Sequence, residues 1–97
     1  MKHELKIWPM YYSRVLDGSK TFEIRSNDRG YQSGDTVVLK EWDPDPINPT
    51  TKDPKGYTGS KDLEFRIGYI HVLNKQDVVF SLLPLPVIAK KPKAKKN

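Results

Sequence analysis

Apolar and polar positions along this chain alternate with a period that changes from segment to segment, and the changes mark its elements. Residues 3–7, His-Glu-Leu-Lys-Ile, read as a short strand with Leu5 and Ile7 on one face. Pro9 suits the first position of a helix, where its missing N–H costs nothing. Met10, Tyr11, Val15 and Leu16 follow at near-helical spacing, and Gly18 stands where a helix stop needs a left-handed residue. The spacing predicts a helix over 9–17, short enough to need packing against a sheet. From Thr21 the period becomes two: Phe22 and Ile24 point one way, while Thr21, Glu23 and Arg25 point the other.

Turn chemistry follows at Asn27-Asp28-Arg29-Gly30 and Ser33-Gly34-Asp35. The next strand is Thr36 to Trp42, with Val37 and Leu39 inward. Residues 43–56 hold four prolines and a glycine, which predicts a long loop. The longest strand runs from Lys61 to Leu73. Leu63, Phe65 and Ile67 alternate inward, Gly68 interrupts, and Ile70 and Val72 take the opposite phase. A β-bulge at Gly68 would reconcile the two halves with one core, as would a strand covered on both faces. Residues 74–77 form a turn, Val78 to Leu83 the last strand, and Pro84 and Pro86 end regular pairing. About five strands and one helix near the N-terminus, joined by turns too short for repeated crossover helices, predict a mostly β (α+β) domain. Its expected shape is a small antiparallel or mixed barrel.

Composition narrows this picture. The 97 residues make one domain. With no cysteine there is no disulfide framework and no thiolate metal site, which suits a cytoplasmic protein. No apolar run reaches the roughly 18 to 20 residues a membrane-spanning helix needs, and the first residues hold no apolar leader. The formal charge of +5 changes meaning once it is placed along the chain. Lys90, Lys91, Lys93, Lys95 and Lys96 fall in the last eight residues, which contain no acid. Without them, twelve bases face twelve acids. The expected division is a formally neutral domain over 1–88 and a disordered lysine-rich tail over 89–97. Any polyanion site on the body must then be a local patch. The tail is either a solubilising end or a sequence-blind electrostatic tether to RNA or DNA. As a tether its five lysines would give a salt slope of about −3.5 on single strands and about −4.5 on duplex.

Few residues have the spacing of a known chemistry. His3 and His71 stand apart without metal-ligand spacing, no phosphate-binding or dinucleotide-binding glycine run occurs, and no metal or cofactor is expected. Glu23 and Arg25 share a strand face, with Lys20 before them and Arg29 after. The face is either solvated, with an ion pair worth at most about 1 kcal/mol, or the floor of a polar pocket. As a floor, Arg25 offers a fork of donors to a phosphate or base edge, Lys20 a point charge, and Glu23 an acceptor for an amino group. Among the aromatic residues, most of which belong in the core of so small a domain, Tyr31 and Tyr57 lie in turn or loop contexts. They are the expected exposed pair for stacking on bases.

Gly18-x-Lys20-x-x-Glu23-x-Arg25, followed by Gly34-Asp35-x-Val37-x-Leu39, resembles the ASCH branch of the PUA-like superfamily. His3-Glu-Leu-Lys-Ile7, Asn27-Asp-Arg29 and Gly34-Asp35 add a resemblance to small uncharacterised ASCH-related domains common in phages and prophage-bearing bacteria. The resemblance is dense over residues 3–42 and looser from Tyr57 to about Leu83. It implies a PUA-like pseudo-barrel with a helix beside it, a cleft lined by Lys20, Glu23 and Arg25, and recognition of RNA or a modified nucleoside. One ASCH branch hydrolyses acetylated cytidine with a lysine, a threonine three residues later and a downstream acid. Lys20 matches that lysine, but Glu23 occupies the threonine position, and Thr21 is on the same face at the wrong step. The expectation is therefore a nucleic-acid-binding module using Lys20, Thr21, Glu23, Arg25, Arg29, Tyr31 and Tyr57, with RNA or a nucleotide as partner. The alternatives are a phage-type module that contacts a host protein, and a nucleoside amidohydrolase of altered chemistry.

Overall fold

The computed structural model describes residues 1–47 and 54–85. The lysine tail, its boundary at residue 88, and the middle of the proline-rich segment lie outside the described residues. The element order is β1 (Lys2–Ile7), α1 (Pro9–Leu16), β2 (Phe22–Ser26), β3 (Thr36–Ile47), β4 (Pro54–Tyr57), β5 (Leu63–Val72) and β6 (Asp77–Pro84). The mostly β class with one short helix near the start is as the sequence predicts.

Five strands form one sheet in the order β1-β3-β5-β6-β2, and β4 pairs with β3 off that path. Among the described residues only β1 and β3 run parallel, and the chain between them supplies α1 and β2. Strand β3 is buried on both faces in its first half. Val37 and Leu39 are wholly enclosed among the core side chains. Val38, facing the other way, is buried between its register partners Glu4 and Glu64. Leu5, Ile7, Ile67, Val78, Phe80 and Leu82 complete the inner layer. Each such side chain taken out of water stabilises the fold by about 1.5–3 kcal/mol.

Helix α1 closes one side of this core with Tyr12 and Val15, and the Tyr12 hydroxyl donates to the Lys61 carbonyl at 2.8 Å. Met10, Tyr11 and Leu16, which share the near-helical spacing, face solvent instead. The helix stops where the sequence predicts, with Gly18 at φ 85°. That is the left-handed region a β-carbon disfavours.

The alternating strand of residues 61–73 does contain its bulge. Ile67 pairs with Leu82 but Ile70 pairs with Phe80, so three steps on β5 match two on β6. A β-carbon on Gly68 would stand 2.4 Å from Ser81 Oγ, the atom that accepts the Tyr69 amide. Glycine is what lets the strands approach there. Beyond the bulge Ile70 packs against the core, while Val72 and His71 are exposed.

The predicted loop over 43–56 is corrected on both sides of its middle. Strand β3 continues to Ile47, and β4 folds back on it, pairing Trp42 with Tyr57 and Asp43 with Gly56. Among the described residues no further strand pairs with this ribbon, so prolines fit where no ladder partner needs their N–H. Pro84, expected to end pairing, still pairs with Phe65 near the end of β6.

His3 is buried on the β1 face it shares with Leu5 and Ile7. Its Nε2 lies 2.8 Å from Asp35 Oδ2, and its ring meets Tyr31 edge-on at 4.8 Å. An ionised carboxylate only accepts, so Nε2 carries the proton it donates. This contact, with the Gln32 amide and the N-terminal ammonium, holds the Asp35 carboxyl below its ordinary 3.8. A carboxyl whose pKa is depressed on folding contributes stability above its unfolded pKa and loses it as pH falls through the folded value. Urea midpoints measured from pH 6 to pH 2 are therefore expected to fall more steeply for the native chain than for Asp35→Asn. Equal slopes would contradict the assignment.

Candidate functional site

The sheet does not close. Strands β1 and β2 end its two sides and share no backbone ladder. Side chains cross the gap instead. Arg25 Nη2, from β2, donates to the Lys6 carbonyl of β1 at 2.8 Å. Arg29 Nη1, from the turn after β2, donates to the Glu4 carbonyl at 3.2 Å. The two carbonyls are two residues apart on an edge strand, so they point the same way and would otherwise be left to water.

Glu23 organises this seam. It is 4% exposed, facing inward opposite Phe80. Arg25 Nε and Nη2 donate to its Oε2 at 2.9 and 2.7 Å, and Lys20 Nζ donates to Oε1. Lys20 Nζ also donates to the Phe22 carbonyl at 2.7 Å, and lies over the Phe22 and Tyr11 rings, 5.0 and 5.6 Å from their centroids. The turn after α1 places that lysine. Asp17 Oδ1 accepts the Ser19 amide at 2.8 Å, Gly18 reverses the chain, and the Lys20 amide returns to the Arg14 carbonyl at 3.0 Å.

The two faces of β2 are thus arranged against the usual order. Glu23 is inside, while Phe22 and Ile24 are 42% and 56% exposed. Of the two readings the sequence left open for the charged face, a solvated surface pair does not describe it. The carboxylate is desolvated and held by two cations, one of them through a two-point fork.

A cleft of about 500 Å³ runs along this seam. Lys20 lines it from the turn after α1, Phe22, Glu23, Ile24 and Arg25 from β2, and Lys6, Ile7, Trp8 and Tyr11 from the end of β1 and the start of α1. Trp8 and Tyr11 stack on each other at 6.3 Å with 23° between planes, and both rings are partly open to solvent. Arg25 Nη1 has no acceptor among the described residues. The cleft therefore offers flat apolar walls, one guanidinium edge and the Lys20 ammonium, while the Lys6 ammonium lies over the Trp42 ring, 4.6 Å from its centroid.

The other sequence-predicted site residues lie elsewhere. Thr21 is exposed beside the cleft, its carbonyl taken by the Leu82 amide at 2.9 Å. Tyr31, expected to be exposed, is buried between His3 and Phe80, because its turn folds back over the core. Burial raises its hydroxyl above the ordinary 10.0, with the Arg29 charge opposing. Tyr57 is exposed as expected, but it lines a second hollow of about 330 Å³ with Lys40, Glu41 and Asp62. The five tail lysines lie outside the described residues. Lys6 was not foreseen: nothing in a half-exposed strand lysine signals it, and only the seam brings it to the cleft. Among the described residues no group of three or more His, Cys, Asp or Glu is placed to hold a metal ion, and no helix is long and apolar enough to cross a membrane.

A family described as "Domain of unknown function (DUF3850)" matches residues 2–82. The chain is also similar to an "Uncharacterized 12.9 kDa protein in GpA 3'region" of Escherichia phage P2, 48% identical over 40 residues, 41% of this chain. The matched stretch spans 37% of that relative's length.

Removing one partner of a buried ion pair leaves the other desolvated and uncompensated, at a cost of about 3–5 kcal/mol, against about 1 kcal/mol at most for a surface pair. Arg25→Ala leaves Glu23 with Lys20 alone and is expected to lower the unfolding free energy by more than the surface-pair value of about 1 kcal/mol, read from urea denaturation. A loss below about 1 kcal/mol would mean that Glu23 is effectively solvated.

Proposed function

The chain belongs to the family described as a domain of unknown function (DUF3850), and from that premise we propose that it is a nucleic-acid-binding module. Its seam cleft takes a nucleobase or nucleotide, of RNA or as a free, modified nucleoside. The observation that carries this reading is the Glu23 carboxylate clamped between Lys20 and Arg25 at the floor of an aromatic-walled cleft. A base needs a flat apolar surface to stack on and a few fixed polar groups at its edge. Trp8, Tyr11 and Phe22 supply the first. Arg25, immobilised by Glu23 and the Lys6 carbonyl, presents Nη1 as a preset donor, and Lys20 supplies positive charge for a phosphate. The resemblance of residues 3–42 to ASCH domains supports the same reading.

In this reading Glu23 is a positioning group. Both of its oxygens accept hydrogen bonds from cations, so it is poorly placed to take a proton from a bound nucleoside. That argument weighs against an amidohydrolase of altered chemistry. The tail lysines would add a sequence-independent attraction for the phosphate backbone and no selectivity.

Calorimetric titration with the four ribonucleoside monophosphates and with short mixed-sequence RNA tests the proposal. At least one is expected to bind. Trp8→Ala should weaken it by about 5- to 150-fold, the effect of losing about 1–3 kcal/mol of stacking, with the unfolding midpoint unchanged. Absence of binding by every member, or full affinity in Trp8→Ala, would sink it.

A further inference from the structure

The cleft opens onto a sheet face that the fold leaves uncovered. Phe22 and Ile24 line the cleft along the free edge of β2, and they also point outward. The β2–β6 register sets Phe22 opposite Ser81 and Ile24 opposite Val79. On β5, His71 stands opposite Val79, and the Tyr69 amide donates to Ser81 Oγ. Two rows therefore cross the outer face, each ending in a ring on β5. Tyr69 is 72% exposed and His71 is exposed beside it.

These two rings are nearly parallel, 25° between planes, with centroids 6.5 Å apart. Exposed rings of this kind are surfaces on which a base can stack. No carboxylate lies in either row. Arg66 is an exposed cation on β5, opposite Leu83, and Lys20, paired with Glu23, lies over the Phe22 ring at the other side. The face continues the cleft, carries exposed rings and meets an exposed cation at Arg66. A single-stranded polyanion carrying flat bases matches both features.

We propose that the outer face of β2, β6 and β5 is a stacking platform for single-stranded nucleic acid. It extends the cleft, so that a strand with one base in the seam passes over Phe22 and places a further base at Tyr69 and His71. This rests on the reading of the cleft as a base site, and it makes the ligand an oligonucleotide rather than a free nucleotide.

The test uses the full chain and compares Tyr69→Ala/His71→Ala with the native protein. The probes are the four ribonucleoside monophosphates and a mixed-sequence RNA nonamer, titrated at several salt concentrations. Both residues are exposed, so the unfolding midpoint should not move. The tail is present in both proteins and its contribution cancels. The double variant is expected to lose on the order of tenfold in nonamer affinity, with mononucleotide affinity unchanged. Arg66→Ala is expected to lower the nonamer salt slope by about 0.7.

Nonamer affinity unchanged in the double variant overturns the platform while leaving the cleft reading standing. Equal loss for mononucleotides places the rings at the same base site and overturns it as well. If neither probe binds the native protein, the cleft reading fails and the platform fails with it. A dimer in sedimentation that Tyr69→Ala dissociates would make this face a contact between copies, and would also overturn the proposal.

Discussion

Glu23 is a carboxylate that the fold has removed almost wholly from water, and the region around it is arranged to make that tolerable. An isolated buried carboxylate costs several kcal/mol. Here two cations offset the cost, Lys20 from the turn after the helix and Arg25 from the same strand. Neither is free to serve Glu23 alone. Lys20 also satisfies the Phe22 carbonyl, and Arg25 also satisfies the Lys6 carbonyl. One buried anion thereby ties the end of α1, the edge of β2 and the edge of β1 together, where no backbone ladder does so. The sheet stays open, and side chains bridge its two edge strands.

Such a seam leaves space that a ladder would have filled. Strands joined by hydrogen bonds lie about 4.7–4.9 Å apart, and a cleft of about 500 Å³ could not survive between them. The groups that close the gap are also the ones that line it. This explains how a body with equal numbers of acidic and basic residues can hold a local cationic site. The charge lies at the seam because the seam needs donors.

Much of the fold was legible because it depends on local pattern. The alternation of Leu5 and Ile7, the Pro9 and Gly18 boundaries of the helix, and the phase break at Gly68 each reflect chemistry within a few residues. The alternation in β2 also separated Glu23 and Arg25 from Phe22 and Ile24. Which pair faces inward was not legible, since burying a carboxylate is favourable only if the Lys20 ammonium and the Lys6 carbonyl arrive from elsewhere. Tyr31 misled for a related reason. Its turn context is local, but its burial against His3 and Phe80 is set by tertiary contacts. The strand ribbon of β3 and β4 was hidden by its prolines, which forbid a central strand but not a free edge. Lys20, Glu23 and Arg25 were found by pattern. Lys6 and the outward-facing Phe22 needed the seam.

The claim that joins fold to function is that the seam is the binding surface. Amide chemical shifts followed while nucleotides and short RNA are titrated into the protein test it most directly. The account predicts changes concentrated in residues 6–11 and 20–25, where the cleft walls and its clamped floor meet. Changes confined to the hollow beside Tyr57, or to the lysine-rich end of the chain, would contradict it.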